Sequence, residues 1–76
     1  MSVRVNPAAL AAIRERSGLT QSALAQAAGV SQGRISELEH GGRHGGALVA
    51  RPTTVRALAG ALQVPILALV AVPAPR

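Results

Sequence analysis

The sequence predicts an all-α fold, a compact bundle of four to five short helices, from its composition and from its helix start and stop residues. Hydrophobic residues make up 49% of the 76 residues, yet Phe, Trp and Tyr are absent. The core must therefore consist of Leu, Ile, Val and Ala, and Ala is the best helix former. We expect a single domain over residues 1–76, with its core within residues 7–70.

The first three helices have recognisable ends. Asn6 followed by Pro7 combines an N-cap side chain with a proline that is tolerated at the first helical position. Thr20 and Ser31 are N-cap residues for the second and third helices, and Gly29 separates these two helices. So short a link forces the second and third helices to cross at a steep angle. The predicted helices span residues 8–17, 21–28 and 32–39.

The second half of the chain is less regular. Residues 40–52 are rich in glycine and predict a long, flexible connection. A fourth helix is expected to start at Thr53 or Thr54, and the apolar stretch 66–72 is expected to add one or two helical turns. The apolar side chains of this stretch cannot all face so small a core, which favours a homodimer contact over core packing or a different protein partner. The candidate dimer residues are Ile66, Leu67, Leu69 and Val70.

The charge of the chain favours a polyanionic partner. The chain carries 8 basic residues, all Arg, against 3 acidic ones, for a net charge of +5. The planar guanidinium group of Arg binds phosphates and guanine edges through paired hydrogen bonds. Cysteine is absent, which excludes disulfides and thiolate metal sites. The sequence shows neither a signal-peptide pattern nor an apolar run of about 20 residues, so we expect a cytoplasmic protein.

The segment 19–41 carries the functional inference. Ala25 is small where the second and third helices should approach each other, and Val30, Ile35 and Leu38 should attach the third helix to the core. The outer face of the third helix is then short, polar and unobstructed, which is what a helix entering a DNA major groove requires. The residues on this face are Gln32, Gly33, Ser36 and Glu37.

This segment resembles the phage repressor and Cro-type helix-turn-helix family, also called the XRE family. The matching signatures are L-T-Q-x-x-L-A from Leu19, G-V-S from Gly29 and Q-x-x-I-S-x-L-E-x-G from Gln32. The resemblance implies a lambda-repressor-like domain whose third helix reads double-stranded DNA. It also implies a transcriptional regulator, a repressor of the Cro or phage immunity type that acts by occupying an operator. The alternative is an antitoxin or anti-repressor that uses the same fold to bind a protein.

The resemblance also implies roles for individual residues. Gln32 is the main expected base reader because its amide can pair with adenine N6 and N7, and Glu37 can accept from cytosine N4. Gly33 and Ser36 complete the base-facing set. Gly33 offers no side chain where relatives often carry a second reader, which either removes a contact or admits a thymine methyl or the backbone. Arg34 is close enough to the base readers to reach a phosphate or a guanine edge. The residues expected to contact phosphates are Gln21, Ser31, Arg34, Arg43 and Arg51.

Arg14 and Glu39 are expected to have a structural role. Family members commonly pair an arginine and a glutamate at these positions, between the first helix and the end of the third. The pair should therefore stabilise the domain rather than contact DNA.

The glycine-rich connection is the main departure from the family, because relatives usually cross this region in fewer residues. It either reaches DNA through Arg43 or is a disordered spacer. His40 and His44 lie within it, but a metal site needs a third ligand that the sequence does not offer. We expect no metal, no cofactor and no small-molecule ligand, and the absence of a nucleophile–base–acid set argues against an enzyme.

Overall fold

A computed structural model describes residues 2–42 and 46–71 of the chain, which form four α-helices, a 3₁₀ helix and a two-stranded antiparallel sheet. The predicted all-α bundle is confirmed as the main body of the fold. The small sheet is an addition that the sequence did not predict. In chain order the elements are β1 (Val3–Val5), α1 (Pro7–Arg16), α2 (Gln21–Ala28), α3 (Gln32–His40), β2 (Leu48–Ala50), α4 (Pro52–Leu62) and the 3₁₀ helix Ile66–Ala68.

Side-chain caps begin the first three helices. The Asn6 side chain accepts a hydrogen bond from the Ala9 amide at 3.1 Å. Thr20 caps α2 in the same way at 3.0 Å, and Ser31 caps α3 at 3.1 Å. Each cap satisfies an amide that the helix leaves unpaired and contributes about 1 kcal/mol. These local interactions explain why the starts of α1, α2 and α3 lie at or next to the predicted positions.

The turn between α2 and α3 depends on one left-handed residue. Gly29 has φ 71° and ψ 31°, a conformation that costs glycine nothing but that strains residues with a Cβ. Its amide donates back to the Gln26 carbonyl, and the Val30 amide donates to the Ala25 carbonyl, so two carbonyls of the last turn of α2 are satisfied. Only residues 29–31 link the two helices, which places α3 across α2.

Strand β1 is hydrogen-bonded on its two edges to two distant parts of the chain. β1 pairs with β2 in the register Val3↔Ala50 and Val5↔Leu48. On its other edge the Arg4 carbonyl accepts from Ala71 at 2.8 Å. β1 therefore lies between β2 and the last described residues. The glycine-rich connection is correspondingly shorter than predicted, because its end is strand β2 rather than flexible chain.

The end of α3 and the start of α4 also shorten this connection. α3 continues through His40, and α4 begins at Pro52, one or two residues before the predicted start at Thr53 or Thr54. Pro52 is acceptable there because the first helical residue has no intrahelical use for its N–H. Near the loop base the Gly42 amide donates to the Gly46 carbonyl at 2.7 Å.

The core is aliphatic and lies where the helices and the sheet meet. Its members come from every α-helix, both strands and the residue after the 3₁₀ helix. The buried hydrophobic residues are Val5, Leu10, Leu24, Ala25, Ile35, Leu38, Ala50, Val55, Leu58, Ala59, Leu62 and Leu69. Within the described residues no helix is both long and apolar enough to cross a membrane; the longest, α4, has 11 residues.

The C-terminal apolar stretch is divided between core and surface. Leu69 is completely buried in the core, and Val70 is half-buried beside Val5, with which it forms a bridge. Both residues therefore contact other parts of the same chain. Because Leu69 is completely buried, it is not available to the predicted dimer interface. By contrast, Leu67 is 77% exposed and Ile66 is 39% exposed. The 3₁₀ helix has about three residues per turn, so Leu67 and Leu69, which are two residues apart, point in different directions and one can be buried while the other is exposed.

Candidate nucleic-acid interface

The outward face of α3 is polar and open. Ile35 and Leu38 have no exposed surface and attach the opposite face of α3 to the core. Residues spaced three and four apart on a helix share a face, so the exposed residues of α3 form one continuous surface. We call this surface the α3 face, and it consists of Gln32, Gly33, Ser36, Glu37 and His40.

His40 is the member of the α3 face that the sequence interpretation missed. That interpretation placed His40 in the flexible connection, whereas α3 extends through it. The spacing of four from Gln32 to Ser36 and from Ser36 to His40 puts the three side chains in one row. The signal was present in the sequence as this spacing. His44, the second histidine of the metal site that the sequence argues against, lies outside the described residues.

One flank of α3 is tied to α1 by the Arg14–Glu39 pair. The Arg14 guanidinium donates to both carboxylate oxygens of Glu39, with 3.1 Å between Nη2 and Oε1. It also donates from Nη1 to the Leu19 carbonyl at 2.7 Å. Both side chains are largely buried, with 14% and 7% exposed. The hydrogen bonds to Glu39 raise the pKa of Arg14 in spite of the opposing effect of burial, so the Arg14 guanidinium remains charged at any physiological pH.

Gln21 joins the same flank from the first turn of α2. Its Nε2 donates to Oε1 of Glu39 at 3.1 Å. Glu39 thus receives hydrogen bonds from α1 and from α2 while belonging to α3. The Gln21 side chain, which the resemblance assigned to a phosphate, is held in one orientation by this contact.

The other flank of α3 is tied to the sheet by Arg34. Its Nη2 donates to the Val49 carbonyl at 2.6 Å, and its Nη1 lies 3.5 Å from Oε1 of Glu37. Along β1 the backbone groups of Val3 and Val5 face β2, whereas the carbonyl of Arg4 faces away from β2 and accepts from the Ala71 amide. The carbonyl of Val49, opposite Arg4, consequently faces the outer edge of β2. Arg34 therefore covers that edge and at the same time lies beside Glu37.

Two ties on opposite flanks therefore fix the rotation of α3 about its own axis. Glu39 restrains one side and Arg34 restrains the other, while the α3 face remains uncovered between them. A surface intended for docking needs its side chains held by such supporting contacts. The described residues hold no group of three or more His, Cys, Asp or Glu side chains that a metal ion would need.

The remaining predicted phosphate contacts lie in different surroundings. Ser31 is exposed, and its oxygen accepts the cap hydrogen bond from the Arg34 amide. Arg51 is exposed at the N-cap position of α4, and its side chain makes no cap hydrogen bond. Arg43 lies outside the described residues. The structure thus brings Ser31 to the α3 face and places Arg51 at the start of another helix.

Gly33 is exposed in the first turn of α3, and no contact within the protein requires it. A Cβ built at this position has nothing within 4 Å. The glycines with positive φ are Gly18, Gly29 and Gly41, so Gly33 has an ordinary helical backbone. Glycine in a helix costs about 0.5–1 kcal/mol relative to alanine. Neither the packing nor the backbone of this protein compensates for that cost.

Comparison with known families identifies the α2–turn–α3 unit. A family model described as a helix-turn-helix domain matches residues 8–71. The chain belongs to the helix-turn-helix domain family. The match spans all four α-helices of this helix-turn-helix domain except the first residue of α1, and it confirms the resemblance inferred from residues 19–41. No curated protein matches the chain.

Family membership identifies the chain as a DNA-binding domain and α3 as its second helix-turn-helix element. In this motif the second helix occupies the major groove while the first crosses the backbone.

We expect the Arg34 contact to affect the local stability of β2 more than the global free energy of unfolding. Arg34→Met should change the free energy of unfolding by no more than about 1 kcal/mol, because the contact is partly exposed. It should accelerate hydrogen exchange of the β2 amides, since the outer edge of β2 loses its cover. NMR-detected exchange measures this, with the amide of Leu10 in α1 as the internal reference. Equal acceleration in β2 and α1, or none in either, would contradict the assigned role.

Proposed function

We propose that this helix-turn-helix domain is a sequence-specific transcriptional regulator, a repressor that acts by occupying an operator in double-stranded DNA. The observation that supports this most directly is the open α3 face between its two restrained flanks. A B-DNA major groove about 12 Å wide admits one α-helix. The net charge of +5 supplies attraction to the phosphates that flank the groove.

Base recognition is proposed for the exposed polar side chains of α3. Gln32 is in the first turn, where recognition helices contact base edges most often. Its amide matches the adenine N6 donor and N7 acceptor, while the Glu37 carboxylate can accept from cytosine N4. Ser36 lies between them in the next turn and is able to donate or accept. His40, one turn further, extends the same row.

Phosphate contacts are proposed around the edges of this surface. A side-chain amide nitrogen has two hydrogens. Gln21 can therefore keep its hydrogen bond to Glu39 and still donate to a phosphate at the start of α2. The Ser31 oxygen accepts the cap bond, and its hydroxyl hydrogen is then the part that would donate. Positive charge near the phosphates comes from Arg51, Arg43 and Arg34. The Arg34 guanidinium already donates one hydrogen bond to the Val49 carbonyl.

A homodimer on DNA is proposed from the exposed residues of the C-terminal stretch. Leu67 and Ile66 project from the 3₁₀ helix, and Leu69 anchors that helix from beneath. A dimer predicts a palindromic operator whose half-sites are about 34 Å apart. The same exposed residues are the basis of the alternative function, an antitoxin or anti-repressor that binds a protein instead of DNA.

Selection of duplexes from a random library, at two salt concentrations, separates these functions. A repressor should enrich one motif, and its binding should weaken as salt rises because phosphate contacts release counterions. An antitoxin or anti-repressor should enrich no motif. That second result would overturn the proposed function.

We expect Gln32→Ala to relax base preference at one position of the enriched motif. Loss of one bidentate pair should reduce discrimination there by about 1–3 kcal/mol. Repeating the selection with this variant measures the change. The matched control is Gln26→Ala, an exposed glutamine on α2, which should leave the motif intact.

Arg51→Ala provides the complementary comparison. Loss of a phosphate contact should weaken binding to all sequences to a similar extent and reduce the salt slope by about 1. If Gln32→Ala behaved like Arg51→Ala, with the motif unchanged, α3 would not be the helix that reads bases.

A further inference from the structure

Gly33 is the feature of the α3 face that the protein's own structure does not explain. It is exposed, its backbone is helical, and an added Cβ would meet no atom of the protein within 4 Å. A residue with a side chain would stabilise α3 at no cost in packing. The reason for a glycine here must therefore be sought outside the chain.

The neighbours of Gly33 define the space that it leaves empty. Ser36 and Glu37 lie three and four residues further along α3 and share its face. With Gln32 they border a gap in which the helix backbone is bare. Peptide dipoles, and with them the N–H groups, run along the helix axis. A group approaching from the side therefore meets the Cα hydrogens of Gly33, which form a small apolar surface.

A thymine C5-methyl group has the chemistry to occupy this gap. Of the features that base pairs present in the major groove, it is the apolar one that projects from the base edge. The Cα hydrogens of Gly33 offer no hydrogen bond to a polar base edge, whereas a methyl group can pack against them without losing one. We infer that Gly33 is a specificity-determining residue, at which a thymine methyl of the operator packs directly against the backbone of α3. This inference rests on the proposed function, because it requires α3 in the major groove.

The first experiment compares two glycines. Gly60 is exposed in the helix α4, and a Cβ there also has nothing within 4 Å. Gly33→Ala and Gly60→Ala should each raise the melting temperature by a few degrees, since alanine favours helix. Affinity for the selected duplex should fall about tenfold or more for Gly33→Ala, because the added methyl overpacks the contact. It should be unchanged for Gly60→Ala.

The second experiment identifies the group in the gap. Each thymine of the selected duplex is replaced in turn by uracil, which removes only the C5-methyl. At the contacted position the wild-type protein should bind uracil about fourfold more weakly than thymine, the effect of one buried methyl group. The Gly33→Ala variant should reverse this preference and bind uracil more tightly than thymine, because its own methyl fills the vacated space.

The outcomes separate the inference from the proposed function. Equal affinity of wild type and Gly33→Ala for the selected duplex would overturn the inference and leave the repressor function standing. Weaker binding by Gly33→Ala without a reversed preference at any thymine would also overturn it, since a different part of the DNA would then occupy the gap. Failure of the wild-type protein to select any duplex would overturn both.

Discussion

Glu39→Ala is expected to lower the free energy of unfolding by about 2–3 kcal/mol. The change leaves the largely buried Arg14 without its carboxylate partner and deprives Gln21 of its acceptor. Breaking one side of a buried pair is costly because the remaining charge stays desolvated. For a domain of this size the loss corresponds to a drop in melting temperature of about 10–20 °C. Thermal unfolding followed by circular dichroism measures it.

Two further variants test the explanation. Glu15→Ala removes an exposed glutamate from α1 and should change stability by no more than about 0.5 kcal/mol. Replacing Arg14 and Glu39 together by leucine should recover much of the loss, since no unpaired charge remains. An unchanged melting temperature for Glu39→Ala would show that the pair does not hold α3 to α1.

Leu69→Ala is expected to lower the free energy of unfolding by about 2–5 kcal/mol. Leu69 is completely buried, so its truncation removes apolar contacts and leaves a cavity in the core. Chemical denaturation, with an unchanged slope against denaturant concentration, measures the effect as a change in stability alone.

Leu67→Ala, in the 3₁₀ helix two residues before Leu69, is the matched variant. Because Leu67 is 77% exposed, its truncation should change the free energy of unfolding by no more than about 0.5 kcal/mol. In the proposed homodimer it should instead weaken association, which sedimentation equilibrium detects. Equal loss of stability in Leu67→Ala and Leu69→Ala would contradict the division of this stretch into core and surface.

Several features of the interface were predictable because they depend on neighbouring residues. The N-caps Thr20 and Ser31 each bond an amide three residues away, and the left-handed Gly29 is likewise a local requirement. Helical spacing placed Ile35 and Leu38 toward the core. Their burial leaves the opposite face of α3 exposed, as expected from a period of 3.6 residues.

The sheet was not predictable by the same reasoning. β1 and β2 have three residues each, which is too short for an alternating pattern to stand out from background. Their pairing joins Val3 to Ala50 across almost the whole domain. Such a contact is non-local, so the residues next to each strand do not encode it.

The sequence by itself was sufficient to identify a helix-turn-helix domain, the starts of its first three helices to within one residue, and four of the five residues of the α3 face. The assembled fold was needed to direct Arg34 toward Val49 and to bury Leu69 while exposing Leu67. The physical reason is the range of the interactions. Caps and helical spacing act over three or four residues, whereas the partners of Arg34 and Leu69 are chosen by packing between segments far apart in the chain.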